Sequence, residues 1–433
     1  MTTAPKPVAL ETRWRAAAPD LKAFIAQLTA SLLADEDGQG LRQRKRRATD
    51  QEKFARAVEA ICCGFTANAL LGDGRAVAVR LGNYASGYTS VYGKHFNRAV
   101  DLMRARGLLR LALGHRSGKV RRASTITPSP AYWNVAPPPG DWGDLYLEEH
   151  RAFVGINFDE SGQRRLTPPE DWLRAATAEV ARINDHLRAL PLRYNGNEAL
   201  PLVEIADRPW VYIATPHHRT VRRAFKGSIE RGGRLYDGYW ETMPRADRFR
   251  YLTIGGEPVV NVDYGQLFLR LAYALSGLEP PAGDLYDFTG GDHEASDWPS
   301  LREGRKRMVN ALISAKRAMR QWPGQTSAER AMVRSLFPAG TKPSNVVAGI
   351  KARHHAIAAE WFERGRGGEL QRLESDILTA VMLKLISVGI GALPLHDSVI
   401  VARSDGEAAR RVMLEEAQRI VGADIPVKID DGR

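Results

Sequence analysis

Cysteine is nearly missing from this chain of 433 residues. It has two, Cys62 and Cys63, side by side. Adjacent thiols make neither a disulfide framework nor the paired spacing of a zinc site, so a reducing, cytoplasmic setting is expected. The opening stretch, MTTAPKPVALETRWRAAAPD, has no apolar core behind its charges and does not read as a signal peptide. No apolar run reaches the ~18–20 residues that span a bilayer. Internal repeats and low-complexity tracts are missing too. Acidic residues are scarce in one place: residues 41–130 carry 18 Lys/Arg against 5 Asp/Glu, a net +13, while the whole chain is +12. The remainder is therefore nearly neutral. A basic segment on a neutral body fits docking to a polyanion, above all nucleic acid. A membrane surface fits less well, because the segment lacks a strongly amphipathic basic helix with aromatic anchors.

The length allows two or three domains. In the basic segment, QEKFARAVEAICCGFTANALL (51–71) has apolar residues at three- and four-residue steps and predicts a helix. YTSVYGKHFNRAVDLMRARGLL (88–109) predicts a second, with Phe96, Val100, Met103 and Leu108 inward and Lys94, His95, Asn97, Arg98, Arg104 and Arg106 polar. Gly107 supplies its stop. LRLALGHRSGKVRRASTIT then reads as a basic hairpin. The order helix, helix, basic hairpin resembles the winged helix-turn-helix domains of plasmid and phage replication proteins. That resemblance implies DNA contacts from Lys94 and Arg98, and from the wing residues Arg116, Lys119, Arg121 and Arg122. The preceding run RQRKRR (42–47) is expected to be a flexible arm tracking phosphates. PAYWNVAPPPGDWGD (130–144) is expected to be a linker or an ordered loop. A helix is expected over 168–190, with Thr167 as N-cap and Pro168 near its first turn.

LPLHDSVIVA (393–402) poses a separate question, because His396-Asp397-Ser398 interrupts an otherwise apolar strand pattern. Burying an ionised carboxylate without a partner is expensive. Two readings remain: a plain hairpin turn, which Asp and Ser favour, or a metal ligand presented at the bend. A second strand, EPVVNVD, ends in Asp263 and feeds a helix-like stretch from Leu267 to Leu275. Two such carboxylates on adjacent strands suit two divalent ions about 3.5–4 Å apart. Mg2+, which takes oxygen ligands and retains waters and phosphates, suits them best. Between them, in SLREGRKRMVNALISAKRAMR (300–320), Arg302 and Lys306 are four residues apart and share one helix face, which suits a triphosphate but by itself reads equally as a solvated basic face.

The order of these pieces resembles the family A DNA polymerases. VDYGQLFLRLAYALSG is similar to their motif A, RxxxK at 302–306 to the start of motif B, and LQRLESDILTAVM (370–382) to their Gln-x4-Asp-Ile helix. PLHDS is similar to motif C, and closer to the His-Asp-Ser of single-subunit RNA polymerases. GGRLYDGYWETMP (232–244) resembles the Gly-Arg-Leu segment before motif A. The resemblance covers about residues 225–420. It implies Asp263 and Asp397 as metal ligands for two Mg2+ ions (Mn2+ as substitute), assisted by the Tyr264 carbonyl. It further implies Arg302 and Lys306 on the incoming triphosphate, with Asn310 and Phe268 also at the nucleotide. Arg234, Gln371 and His396 would meet the primer–template, and Asp376 would be structural, paired to a cation.

Three positions depart from the pattern. Phe268 replaces the motif A Glu of the gate against ribonucleotides, an aromatic that still suits that role. Ser314 stands eight residues past Lys306, where the Tyr-Gly of motif B is absent. Ser398 replaces the last acidic residue of motif C. The expected organisation is α+β. It runs from an N-terminal helix and basic arm (1–50) and a winged-helix domain (51–137) to a linker with a reduced thumb (138–224), ending in a palm with short fingers (225–433). No exonuclease domain is expected, and NFDESG (157–162) is not a convincing metal motif. The expected activity is DNA-dependent DNA synthesis without proofreading, with DNA and dNTPs or NTPs as partners. The rivals are a primase or small RNA polymerase, and a replication initiator with an inactive palm.

Overall fold

Apolar residues at helical spacing wind Ala48–Leu71 into one 24-residue helix, which Gly72 ends in the left-handed conformation (φ 74°). That helix belongs to the first of two compact units in a computed structural model of the protein. The units comprise residues 1–150 with 195–218, and 151–194 with 219–433. The structure describes residues 5–40, 44, 46–72, 74–81, 91–117, 120–148, 153–157, 167–195, 202–204, 208–213, 215, 218–288 and 296–432. The fold is α+β, with several small sheets.

In the N-terminal unit, helices Pro19–Gly38, Ala48–Leu71 and Lys94–Ala105 share one core. Strand Val77–Val79, which lies between the second and third helices in the chain, pairs with Ser124–Pro128, which pairs with Leu109–Ala112, a three-strand antiparallel ladder. Val8–Ala9 extends it in parallel, and Val211–Ile213 lies beyond Val8. Residues 1–50 are thus built into the same unit as 51–137, and the 138–224 stretch contributes to both units. Ala48–Leu71 is long and apolar enough to cross a membrane, yet Phe54, Val58, Ile61, Phe65 and both cysteines are buried in this core. Phe96, Val100, Met103 and Leu108 point inward as the spacing predicts. Gly107 (φ 72°) ends their helix, with its N–H bonded to the Arg104 carbonyl. The 130–144 stretch is ordered: Pro130–Trp133 is a helical turn, and Tyr132 is fully buried.

The polar side of Lys94–Ala105 departs from expectation. His95 is buried, between Asp50 (3.0 Å) and Arg46 (2.9 Å). Arg98 pairs with the buried Glu36 (3.1 Å), and Arg106 with Asp35. Arg46 is not part of a free arm: it pairs with Glu36 at 2.8 Å and lies 4.4 Å from the Phe54 ring centre. A carboxylate in a core needs cations around it, and Glu36 recruits two. Lys94 and Arg122 are exposed. Arg116–Ser117 and Val120–Arg121 form a two-residue ladder at the hairpin tip, their side chains outside what is described, and Lys119 lies outside the described residues.

In the C-terminal unit the central strand is Glu257–Tyr264. Ser398–Ala402 flanks one edge; Leu252–Ile254 and Val427–Asp430 share the other, all antiparallel. Ala392–Leu395 closes the sheet as an edge strand, which is where Pro394 is tolerated. Helix Gly367–Ser387 packs against a second sheet through Ser228–Tyr236, and against helix Glu170–Ala189. Asp376 is paired to cations, bonded to the buried Arg223 and, at 3.0 Å, to Arg372. Glu170–Ala189 starts two residues later than expected: Pro169, not Thr167, is its N-cap. It buries Val180, Ile183 and Leu187, while Asn184 bonds both backbone groups of Val221. NFDESG falls almost wholly outside the described residues.

Candidate active site

The interruption at His396-Asp397 is a two-residue turn. Leu395 pairs with Ser398, so the hairpin turns on those two residues, and His396 takes a positive φ of 56°. Histidine is among the few non-glycine residues that enter this region, and a strained turn of this kind points toward function. Asp263 stands opposite Ser398 in the next ladder, and the Tyr264 N–H donates to the Asp397 carbonyl at 3.4 Å. The two carboxylates are therefore set at one end of two adjacent strands. The buried Ser398 hydroxyl has its one proton between two acceptors, the Leu395 carbonyl (2.8 Å) and the Asn261 side-chain oxygen (2.9 Å). Tyr264 points inward, its hydroxyl donating to the Met413 carbonyl at 2.6 Å.

Asp263 and Asp397 form part of the wall of a cavity of about 1120 Å3. Across it, helix Trp298–Ser314 presents Arg302, Lys306, Asn310 and Ser314, a stripe at four-residue spacing. The opposite face of that helix buries Met308, Val309, Leu312 and Ile313. Phe268 comes from helix Leu267–Leu275, Gln371 from Gly367–Ser387 and Arg234 from Ser228–Tyr236. Lys226, Arg231, Lys316 and Lys428 add to the wall, which among the described residues thus holds seven Lys/Arg and two Asp. Such a wall suits a polyanionic ligand carrying its own cations.

Burial and the neighbouring Asp397 push the Asp263 carboxyl up to about 7, opposed by Lys428 and Lys306. Lys428 sits across the ladder from Asp263, with Nζ 3.9 Å from Oδ2. Glu374, buried beneath the cavity, is likewise pushed up to about 7 by burial and by Asp397 and Asp263, against the pull of Arg234. Arg302 is held by Asp284, which also accepts from Gln266 (2.6 Å), and its guanidinium lies 5.1 Å from the Tyr286 ring centre.

Among the described residues no three His, Cys, Asp or Glu side chains gather as a metal cage. Two neighbouring carboxylates, open to a cavity with room for phosphates, still fit a hard dication that keeps waters and substrate oxygens.

The residues singled out from sequence meet here with one exception. Asp263, Tyr264, Phe268, Arg302, Lys306, Asn310, Gln371, Arg234 and Asp397 all line the cavity, whereas His396 is exposed at the bend and is not a wall residue. Glu374, Lys428 and Asp284 were not foreseen. Glu374 lies three residues past Gln371, a helical-face spacing that marks it; Lys428 carries no signal, because only strand register brings it to Asp263. No protein-family model matches the chain, and comparison with curated proteins finds no significant match.

Proposed function

We propose that the C-terminal unit performs template-directed nucleotidyl transfer, as a DNA polymerase resembling the palm and short fingers of family A. The N-terminal helix, helix and basic hairpin would dock it on DNA in the manner of a winged helix. One observation carries the reading: two carboxylates at the ends of adjacent strands face the Arg302–Lys306–Asn310 stripe across a basic cavity.

Arg302 and Lys306 would bind the triphosphate of the incoming nucleotide, with Arg302 pre-oriented by Asp284 and Tyr286. The primer 3′-hydroxyl would lose its proton to water and attack the α-phosphorus, forming a new P–O bond as the α-phosphorus–bridging-oxygen bond breaks and pyrophosphate leaves into the positive field of Lys306 and Arg302. Asp263, Asp397 and the Tyr264 carbonyl would hold two Mg2+ ions, which when bound activate that hydroxyl and neutralise the phosphates. Phe268 is half-buried in the wall, and there it would crowd a 2′-hydroxyl and favour dNTPs. Gln371 and Arg234 would contact the primer–template.

Extension of a labelled primer–template by the full chain with Mg2+ tests this, with dNTPs and NTPs in separate reactions and an unprimed strand alongside. Extension with dNTPs alone is expected. Products from NTPs on the unprimed strand would make it a primase, and no product with intact DNA binding would leave a binding protein.

A further inference from the structure

Arg234 lies among several acceptors and is clamped by one. Its guanidinium binds Glu374 through Nε (3.0 Å) and Nη2 (2.9 and 2.7 Å). Gln371, with its amide oxygen turned toward Arg234, accepts from Nε (3.2 Å) and Nη1 (3.3 Å). The Asp397 carboxylate is close enough to act on the Arg234 charge, and the imidazole of His396 feels that charge as well. Glu374 itself is 1% exposed, on the buried side of helix Gly367–Ser387. It touches none of the cavity volume, so it meets no ligand there directly. A buried carboxylate bound on two nitrogens by one guanidinium defines where that guanidinium rests.

We infer that Glu374 is a positioning residue that holds Arg234 away from the Asp263–Asp397 pair and so keeps those carboxylates open to cations. This rests on reading the pair as the metal-holding group. Without its buried partner, Arg234 would keep a full charge in a partly desolvated place, and Asp397, in the same cavity wall, is a carboxylate whose charge already acts on it. A guanidinium pairing there competes with a divalent ion for the same oxygens. The clamp also fixes Arg234 6.0 Å from the centre of the Phe268 ring, so its release would unsettle that wall as well.

The test is a double-mutant cycle on Mn2+ affinity, read by titrating free Mn2+ with spin resonance in the full-length protein, without DNA or nucleotide. Asp397→Ala serves as the control that defines binding to the pair. Glu374→Gln in the parent is expected to weaken Asp397-dependent Mn2+ binding by about 10–100-fold. In an Arg234→Gln background the same change is expected to alter it by no more than about twofold. An equal loss in both backgrounds would mean that Glu374 acts only by its own charge, and no loss in the parent would mean that it does not act at all. Either result overturns the positioning role while leaving the pair as metal holder. Absence of Asp397-dependent binding in the parent would overturn the metal-holding reading and the positioning role together. Should Glu374→Gln not fold, the apolar pair Arg234→Met with Glu374→Met replaces both charges at once. It is expected to keep Mn2+ affinity near the parent's, and a loss there overturns the inference.

Discussion

Lys428 stands directly across the ladder from Asp263, and its ammonium reaches to 3.9 Å from the carboxylate. That cation only partly offsets what burial and Asp397 do, and Asp263 still holds its proton up to about pH 7. Glu374 behaves alike. In the unfolded chain both carboxyls titrate near pH 4. Between about pH 4 and 7 the folded state therefore binds more protons than the unfolded one, and stability falls as pH rises through that window. Melting in the presence of a chelator is expected to show Tm decreasing from pH 5 to pH 8. Asp263→Asn should flatten that slope, and Mg2+ should raise Tm more at pH 8 than at pH 5. A parent whose Tm climbs across the window, with Asp263→Asn indistinguishable from it, would contradict the placement of the pair.

Phe268 supplies a steric prediction. Shortening it to Ala opens the wall beside the nucleotide, and the preference for dNTP over NTP, measured as a ratio of kcat/KM, is expected to drop by roughly 10–200-fold. An unchanged ratio would remove Phe268 as the gate.

For the N-terminal unit, the wing and the helix face separate. Charge reversal at Arg116, Lys119, Arg121 and Arg122 is expected to weaken DNA binding and to flatten its salt dependence. The log–log slope should fall by roughly 0.9 for each phosphate that the wing no longer neutralises. Arg98→Ala should act differently, because Arg98 is engaged with the buried Glu36: it lowers Tm and leaves the salt slope close to the parent's. A parent-like salt slope in the reversed wing would end its role in holding DNA.

Arg223 braces the strand that carries Arg234. It is buried, it bonds Asp376, and it donates to the Gly233 carbonyl at 2.9 Å, one residue before Arg234. Arg223→Ala removes a buried donor that these acceptors share with Arg372 and Ser375, and chemical denaturation should show a loss of about 1–3 kcal/mol. A loss below about 1 kcal/mol would mean that water replaces the guanidinium.

Much of this site is local in sequence, and that part was legible. The valine-rich strand that ends in Asp263, the turn residues at 396–397 and the four-residue step from Arg302 to Lys306 are each set by neighbours in the chain. What stayed hidden depends on partners far along the chain. Lys428 needs the register of a strand 165 positions after Asp263. The ion pairs of Arg46 and Arg98 need Glu36 on another helix, so a run of cations that looks solvated is partly interior. Likewise Val211 returns to Val8, joining residues 195–218 to the first unit, which no composition shift announces. Cap position at Pro169 rather than Thr167 is a finer miss, since adjacent prolines leave the first helical residue ambiguous.

The most direct test of the central claim is single-nucleotide incorporation under single-turnover conditions. Four primer–templates differing only in the templating base would each meet the four dNTPs separately with Mg2+. If the Asp263–Asp397 pair drives template-directed transfer, each template selects its complementary dNTP, and Asp397→Ala slows incorporation by roughly a thousandfold or more. Incorporation blind to the templating base, or undiminished in Asp397→Ala, would contradict it.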